Sequence, residues 1–249
     1  MIEREVRDGI AILRLAHGKA SALDTELMTA LARAFEQEEQ GLVRAVVLTG
    51  TGPIFCAGVD LVRVAQGGRD YLRAFLPALD EGLRRLFAFP KPVVAAINGH
   101  AIAGGCILAA ACDRRLMALG EGLVGVPELL VGVPFPGLAL EILRDLLSPG
   151  EFREAVLTGA THTPEAALAY GFVDELVDHA DLIDRAVAAA TQLARVPRST
   201  YALTKSQLRL PVVEAVARSA ALDGEARDVW LSEGALESIR AYVARTLKK

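Results

Sequence analysis

Two short glycine turns, each following an apolar strand, constrain this chain more than any other feature. The first, Phe55-Cys56-Ala57-Gly58-Val59-Asp60-Leu61, follows Ala45-Val46-Val47-Leu48-Thr49. The second, Asn98-Gly99-His100-Ala101-Ile102-Ala103-Gly104-Gly105-Cys106, follows Val93-Val94-Ala95-Ala96-Ile97. Ala and Gly leave the backbone uncovered, so a ligand or another backbone can approach closely. Where such a turn opens a helix, the first N–H groups have no intrahelical partner and point outward. Two such turns converging would form a two-donor oxyanion hole, suited to charge that develops on a carbonyl oxygen.

Composition leaves room for such a pocket and argues against other roles. With 249 residues, 52% of them hydrophobic, the chain can build one large domain or one domain with an appendage. A net charge of -4 and a pI of about 5.7 argue against a nucleic-acid partner. The cysteines Cys56, Cys106 and Cys112 lack CxxC spacing and read as free thiols in a reducing compartment. Met1 to Glu5 is charged rather than signal-like, and no uncharged apolar run reaches the ~18 residues of a spanning helix. A cytoplasmic protein with no membrane partner is expected.

Strands and helices alternate along the chain. Val6 to Leu15 reads as a strand with a turn at Asp8-Gly9. Ser21 to Glu39 places Leu23, Leu27, Leu31 and Phe35 on one stripe of an amphipathic helix. Asp70–Phe89 is helical in pattern and ends before Pro90 and Pro92; Ala103–Cys112 is a helix almost without polar residues, hence buried. Glu121–Pro136 reads as loop and short strand, followed by helices over Glu141–Leu147 and Glu151–Leu157. Thr163-Pro164 caps a further helix that Gly171 ends, and Phe172–Val177 is a short strand. From Ala180 onward the pattern is helical, with breaks at Pro197, Pro211 and Ser232-Glu233-Gly234. The change predicts a mixed α/β core over 1–190 and an all-helical region over 191–249.

Several chemistries lack their signatures. The chain has no GxGxxG after a strand, no GxxxxGK and no GxSxG. His17, His100, His162 and His179 are dispersed without an HxxxH pair, so no metal site is expected. His100, inside the second glycine turn, reads either as a plain turn or interface histidine or as one that meets a ligand.

Together, Ala96–Cys106 and Phe55–Leu61 resemble the crotonase superfamily, the enoyl-CoA hydratase/isomerase family. The flanking pieces appear in order over nearly the whole chain: Gly18-Lys19-Ala20-Ser21-Ala22-Leu23, Cys112-Asp113, Pro127-Glu128-Leu129, Leu157-Thr158-Gly159, Tyr170-Gly171-Phe172-Val173 and Glu233-Gly234. The resemblance implies a spiral of ββα turns followed by a helical trimerisation region, as a homotrimer or dimer of trimers. It also implies an acyl-CoA thioester substrate, coenzyme A being part of that substrate and no cofactor being needed.

By motif position, the oxyanion donors implied are the N–H groups of Val59 and Gly104. Lys19, Ala20, Ala22 and Leu23 would lie against coenzyme A, as would Ala57, Gly58, Asp60 and Leu61. Lys19 reads equally as an exposed loop lysine, and Asp60 as a helix cap. Gly105 and Ile107 would border the reacting end. Family hydratases carry two glutamates. The place of the first, three residues after Gly104, is Ile107, which can neither accept a proton nor orient water. The second corresponds to Glu128 in Gly125-Val126-Pro127-Glu128. One carboxylate suits a double-bond shift, and Ala103-Gly104-Gly105-Cys106 with its aliphatic continuation resembles 3,2-enoyl-CoA isomerases most. Asp113 reads as a buried structural acceptor. A hydratase or another lyase or hydrolase of the superfamily is the alternative enzyme; a non-catalytic CoA-binding scaffold is the alternative of another class.

Overall fold

The computed structural model describes residues 1–246. It opens with an antiparallel hairpin of β1 (Ile2–Arg7) and β2 (Ile10–Leu15). The one strand expected over Val6–Leu15 is therefore two. Asp8 and Gly9 both sit at positive φ (51° and 74°), which reverses the chain with the twist that paired strands require. Helix α1 (Thr25–Gln40) buries Leu27, Leu31 and Phe35 as the stripe predicts. It starts later than Ser21 because Asp24 is its N-cap, accepting the Leu27 N–H at 2.7 Å.

Three ββα turns follow. The first is β3 (Ala45–Thr49), β4 (Ile54–Cys56) and α2 (Leu61–Phe87). The second is β5 (Val93–Ile97), β6 (His100–Ile102) and α3 (Gly104–Ala110). The third is β7 (Arg114–Ala118), β8 (Val124–Gly125) and α4 (Glu128–Val131). Each turn gives its first strand to one sheet and its second to another, so the chain spirals as the resemblance implies. After α5 (Gly137–Leu146) and α6 (Pro149–Thr158) come β9 (Thr161–His162), α7 (Pro164–Tyr170) and β10 (Glu175–Val177). The larger sheet runs β1-β2-β3-β5-β7-β10 and the smaller β4-β6-β8-β9. From β2 onward the larger sheet is parallel, with Val46 beside Val93 and Val94 beside Arg114.

Both faces of that sheet are buried, which is why its strands read as unbroken apolar runs. Ala11, Leu13, Val46, Leu48, Val93 and Ala95 face the main core. Ile10, Ile12, Ala45, Val47, Val94 and Ala96 face Leu182, Ala186, Ala189 and Ala190 of α8 (Leu182–Leu193). The alternation is the period of two that a strand imposes.

Several boundaries differ from the sequence reading. The helix expected over Asp70–Phe89 begins at Leu61, because Asp60 caps it, and kinks at Gly68, where φ is 56° and ψ -144°. The Glu121–Pro136 loop contains α4. Pro211 does not break a helix: α9 (Arg198–Arg218) runs through it, anchored by buried Lys205 and Val212 on either side. Tertiary packing here outweighs the local cost of proline. Helices α10 (Ala220–Trp230) and α11 (Glu233–Thr246) complete the chain. Among the described residues no helix is long and apolar enough to cross a membrane.

The packing of α3 on the first turn admits no side chain at Gly105, since a Cβ there would collide with the Cys56 carbonyl of β4. Gly105→Ala should cost at least about 2–3 kcal/mol, read as a lowered midpoint in urea. Gly150→Ala, with nothing within 4 Å of its Cβ, is the neutral control.

Candidate active site

The two glycine turns meet. Gly58, at φ 81°, lies so close to the second turn that a Cβ on it would come within 2.7 Å of the Ile102 carbonyl oxygen and 3.1 Å of the Gly104 nitrogen. Only glycine fits there. On the first turn, Leu23 and Val59 form a single parallel bridge, with Leu23 N–H donating to Gly58 O (2.7 Å) and Asp60 N–H to Leu23 O (2.9 Å). Alternation along an extended segment then turns the Val59 N–H away from Leu23. On the second turn, Ala103 holds a strained φ of 52° and ψ of -125°, tied by its N–H to Gly125 O at 2.8 Å. Gly104 follows as the first residue of α3, where no intrahelical carbonyl is in reach. Among the described residues neither the Val59 nor the Gly104 N–H has an acceptor.

Both residues border one cavity of about 490 Å³. Of the residues expected at a ligand, Ala20, Ala22, Leu23, Ala57, Asp60, Leu61, Ile107 and Glu128 share that wall, with Val59 and Gly104. Lys19 does not: it is exposed on the loop before α1. Gly58 and Gly105 are buried behind the wall, packed on the opposite turn and on β4. His100 is in the wall, its Nδ1 accepting the Leu123 N–H at 3.1 Å, so a neutral ring carries its proton on Nε2.

Glu128 is the first residue of α4, and its carbonyl accepts the N–H groups of Gly132 and Val133 (3.1 and 3.2 Å), which fixes the turn. The side chain is 8% exposed, and Oε2 is buried with no hydrogen-bond partner among the described residues. Burial pushes this carboxyl up from its ordinary 4.5 to about 8. The other carboxylates of the wall are committed. Asp60 accepts the Arg63 N–H at 3.0 Å, Asp80 pairs with Arg84 at 2.9 Å, and Asp223 accepts the Gly137 N–H at 2.7 Å. The cysteines stay protonated; burial, then the charge of Glu128, pushes the Cys106 thiol up.

The rest of the wall was less legible. Of the Gly67-Gly68 loop and the Tyr71–Leu79 helix, which the sequence suggests as shaping the pocket, the loop and Tyr71 are not in the wall, whereas Leu76 and Leu79 are, with Leu83 beyond them. Asp223, Ala226, Arg227, Trp230 and Tyr242 of α10 and α11 also line it, and no local motif marks them. Trp230 is 3% exposed, its Nε1 donating to Pro134 O at 2.9 Å.

A model of the enoyl-CoA hydratase/isomerase family matches residues 5–246. The chain belongs to that family. Mouse mitochondrial enoyl-CoA delta isomerase 1 is 27% identical over 253 residues, covering all of this chain and 88% of its own. Carnitinyl-CoA dehydratase of Salmonella paratyphi A is 34% identical over 242 residues, covering 94% of this chain and 91% of its own. The human mitochondrial delta3-delta2-enoyl-CoA isomerase structure matches with a TM-score of 0.93 at 25% identity, over 99% of this chain and 98% of its own. A probable enoyl-CoA hydratase of Mycobacterium tuberculosis matches at 0.84 and 31%, over 93% of this chain and 99% of its own. These relatives carry the names of different reactions, so the choice among them falls to the side chains of the cavity.

The elevated Glu128 carboxyl has a stability consequence. Between 4.5 and about 8 the folded state holds a proton that the unfolded state has lost, so this group's contribution falls as pH rises through that window. Glu128→Gln should therefore melt progressively higher than the parent as pH rises from 4.5 to 8, with the gap level above. Thermal melts across that range read it directly.

Proposed function

We propose that this enzyme isomerises 3-enoyl-CoA to 2-enoyl-CoA, with Glu128 as its acid and base. The observation that carries the reading is the single uncommitted carboxylate in the cavity, whose wall holds Ile107 where a second acid would be needed. The thioester oxygen would accept the Val59 and Gly104 N–H groups. Glu128 takes the proton from C2, the electron pair moves onto that oxygen, and the same carboxyl returns the proton at C4 as the double bond reaches C2. Two backbone donors suit the dienolate because they need no reorganisation when charge appears. Hydration asks for more: one group to activate water and another to deliver the α-proton. An isoleucine at 107 does neither.

The apolar wall from Leu76 to Leu83, with Leu138 and Trp230, supports an aliphatic acyl group beyond the reacting carbons. The alanines Ala20, Ala22 and Ala57 leave room for a narrow pantetheine arm. Coenzyme A enters as part of the substrate, and the proposed proton transfers need no cofactor. Isomerase and dehydratase relatives alike support an acyl-CoA substrate; the mouse and human proteins favour isomerisation by name.

The deciding experiment supplies 3-enoyl-CoA and 2-enoyl-CoA separately and follows conjugation against water addition. Isomerisation should be the faster, and faster hydration would show that another group orients water. Glu128→Gln keeps the shape and removes the proton acceptor, so turnover should fall by roughly 10²–10⁴ while CoA thioesters still bind. In the parent, kcat/KM should rise with pH and level off above about 8, as the free carboxyl ionises.

We further propose a homotrimer or a dimer of trimers. The apolar residues of α9 and α10 divide in the structure: Val212 and Trp230 are buried within the chain, whereas Val213, Leu222 and Val229 are exposed. Leu203, Leu208 and Leu210 of α9 are exposed as well, and exposed apolar side chains of this number on the C-terminal helices suit an interface. Light scattering at micromolar concentration should give three or six chains; a monomer would refute the assembly.

A further inference from the structure

Arg63 and Asp24 join the two segments that present the Val59 N–H, from outside the reacting end of the cavity. The Leu23–Val59 bridge is what orients that N–H, and the chain leaves the bridge into a helix on each side. Asp24, next to Leu23, caps α1; Asp60, next to Val59, caps α2. The Arg63 side chain reaches back across the join. Its Nη1 donates to Asp24 Oδ2 at 2.6 Å, and the guanidinium forks onto the two oxygens of Glu26 at 2.7 and 2.8 Å. His17, beyond the end of β2, is 2.6 Å from the same Asp24 oxygen.

The arrangement exceeds what two helix caps need. A cap asks for one acceptor, which the Asp24 Oδ1–Leu27 N–H bond already supplies. Burial pushes the Asp24 carboxyl up, but hydrogen bonds from Leu27 N–H, His17 and Arg63 outweigh it and hold the group below its ordinary value. Arg63 and Glu26 are 39% and 49% exposed at their side chains, so their pairing adds little to stability. What a planar, forked donor on three carboxylate oxygens does supply is a fixed geometry. The same guanidinium lies 5.4 Å from the centre of the Tyr71 ring, which stacks on Phe75, so the fixed point extends past the Gly68 kink.

The geometry points to Arg63 as a positioning residue for the reaction. With Asp24 it holds the Leu23–Val59 bridge in place and, through it, the Val59 N–H at the thioester oxygen. This rests on the reading of Val59 as an oxyanion donor. Neither side chain touches the reacting atoms.

The test compares the parent with Arg63→Ala, Arg63→Lys and Asp24→Asn, the last keeping a good helix cap while removing the charge. Each is measured for kcat, KM and Tm, and for the thioester carbonyl stretch of bound 2-hexenoyl-CoA labelled with carbon-13 at that carbon. In the parent the band should lie below its position for free ligand. Arg63→Ala should return it toward the free position and lower kcat by about 10- to 100-fold, with KM changed less than about threefold. Tm should move by no more than about 2 °C. Arg63→Lys should fall between, and Asp24→Asn with Arg63→Ala should be little worse than Arg63→Ala alone. An unchanged band and kcat in Arg63→Ala would overturn the proposal. So would a loss confined to KM that shrinks with salt, which would make Arg63 a contact for the phosphates of coenzyme A. A working parent with no band displacement would instead overturn the oxyanion reading beneath it.

Discussion

The close approach of Gly58 to Ala103 and Gly104 is the constraint on which the rest of the structure depends. Two backbone turns in contact can present two N–H groups to one point, but only if no side chain stands between them. The cost is local. Gly58 and Ala103 both adopt positive φ, and for the alanine that conformation is strained. Neighbouring segments hold it in place. Asn98 accepts the Gly50 N–H at 2.8 Å and donates to Gly52 O at 2.8 Å, tying the turn between β3 and β4 to the one between β5 and β6. The Leu23 bridge and the Ala103–Gly125 bond complete the frame. Because each ββα turn gives strands to both sheets, successive turns are stacked side by side, and their loops emerge together.

Placing one unpaired acid in a largely apolar cavity sets opposing demands. The same burial that raises the Glu128 carboxyl to about 8 makes its carboxylate a stronger base once formed, and lowers the fraction present at neutral pH. A basic partner would restore the charge and weaken the base. The surrounding acids each have their own donor, which leaves Glu128 free to serve a substrate. Its backbone is pinned by the bonds to Gly132 and Val133, so freedom at the carboxyl does not mean freedom of the turn.

The C-terminal helices belong to the cavity as well as to the surface. Asp223 caps the first N–H of α5 from α10, and Trp230 bonds to Pro134 at the other end of the same helix. These two bonds lay α10 along the segment that follows α4. The cavity wall is thus built partly by residues about a hundred positions away from Glu128 in sequence.

How much of this was legible varied with the range of the interaction involved. Strands β3 and β5 were readable to the residue, because burial on both faces demands an unbroken apolar run. The glycine turns were readable because the backbone chemistry there permits few alternatives, whereas Glu128 and Ile107 were singled out through the resemblance to the family. Helix starts at Asp24 and Asp60 were less so, since an aspartate in a turn caps a helix only when the following residues find a core to bury against. Pro211 was misjudged because packing around Lys205 and Val212 outweighed a local preference. The sequence by itself determined the alternation of strand, turn and helix, a consequence of local chemistry, and through its resemblance to the family it singled out Glu128 and the isoleucine at 107. Only the tertiary structure decided that the turns touch, that Glu128 is buried without a hydrogen-bond partner at Oε2, and that Trp230 joins the cavity wall. Those outcomes depend on segments distant in the chain, and no short stretch of residues encodes where its partner will lie.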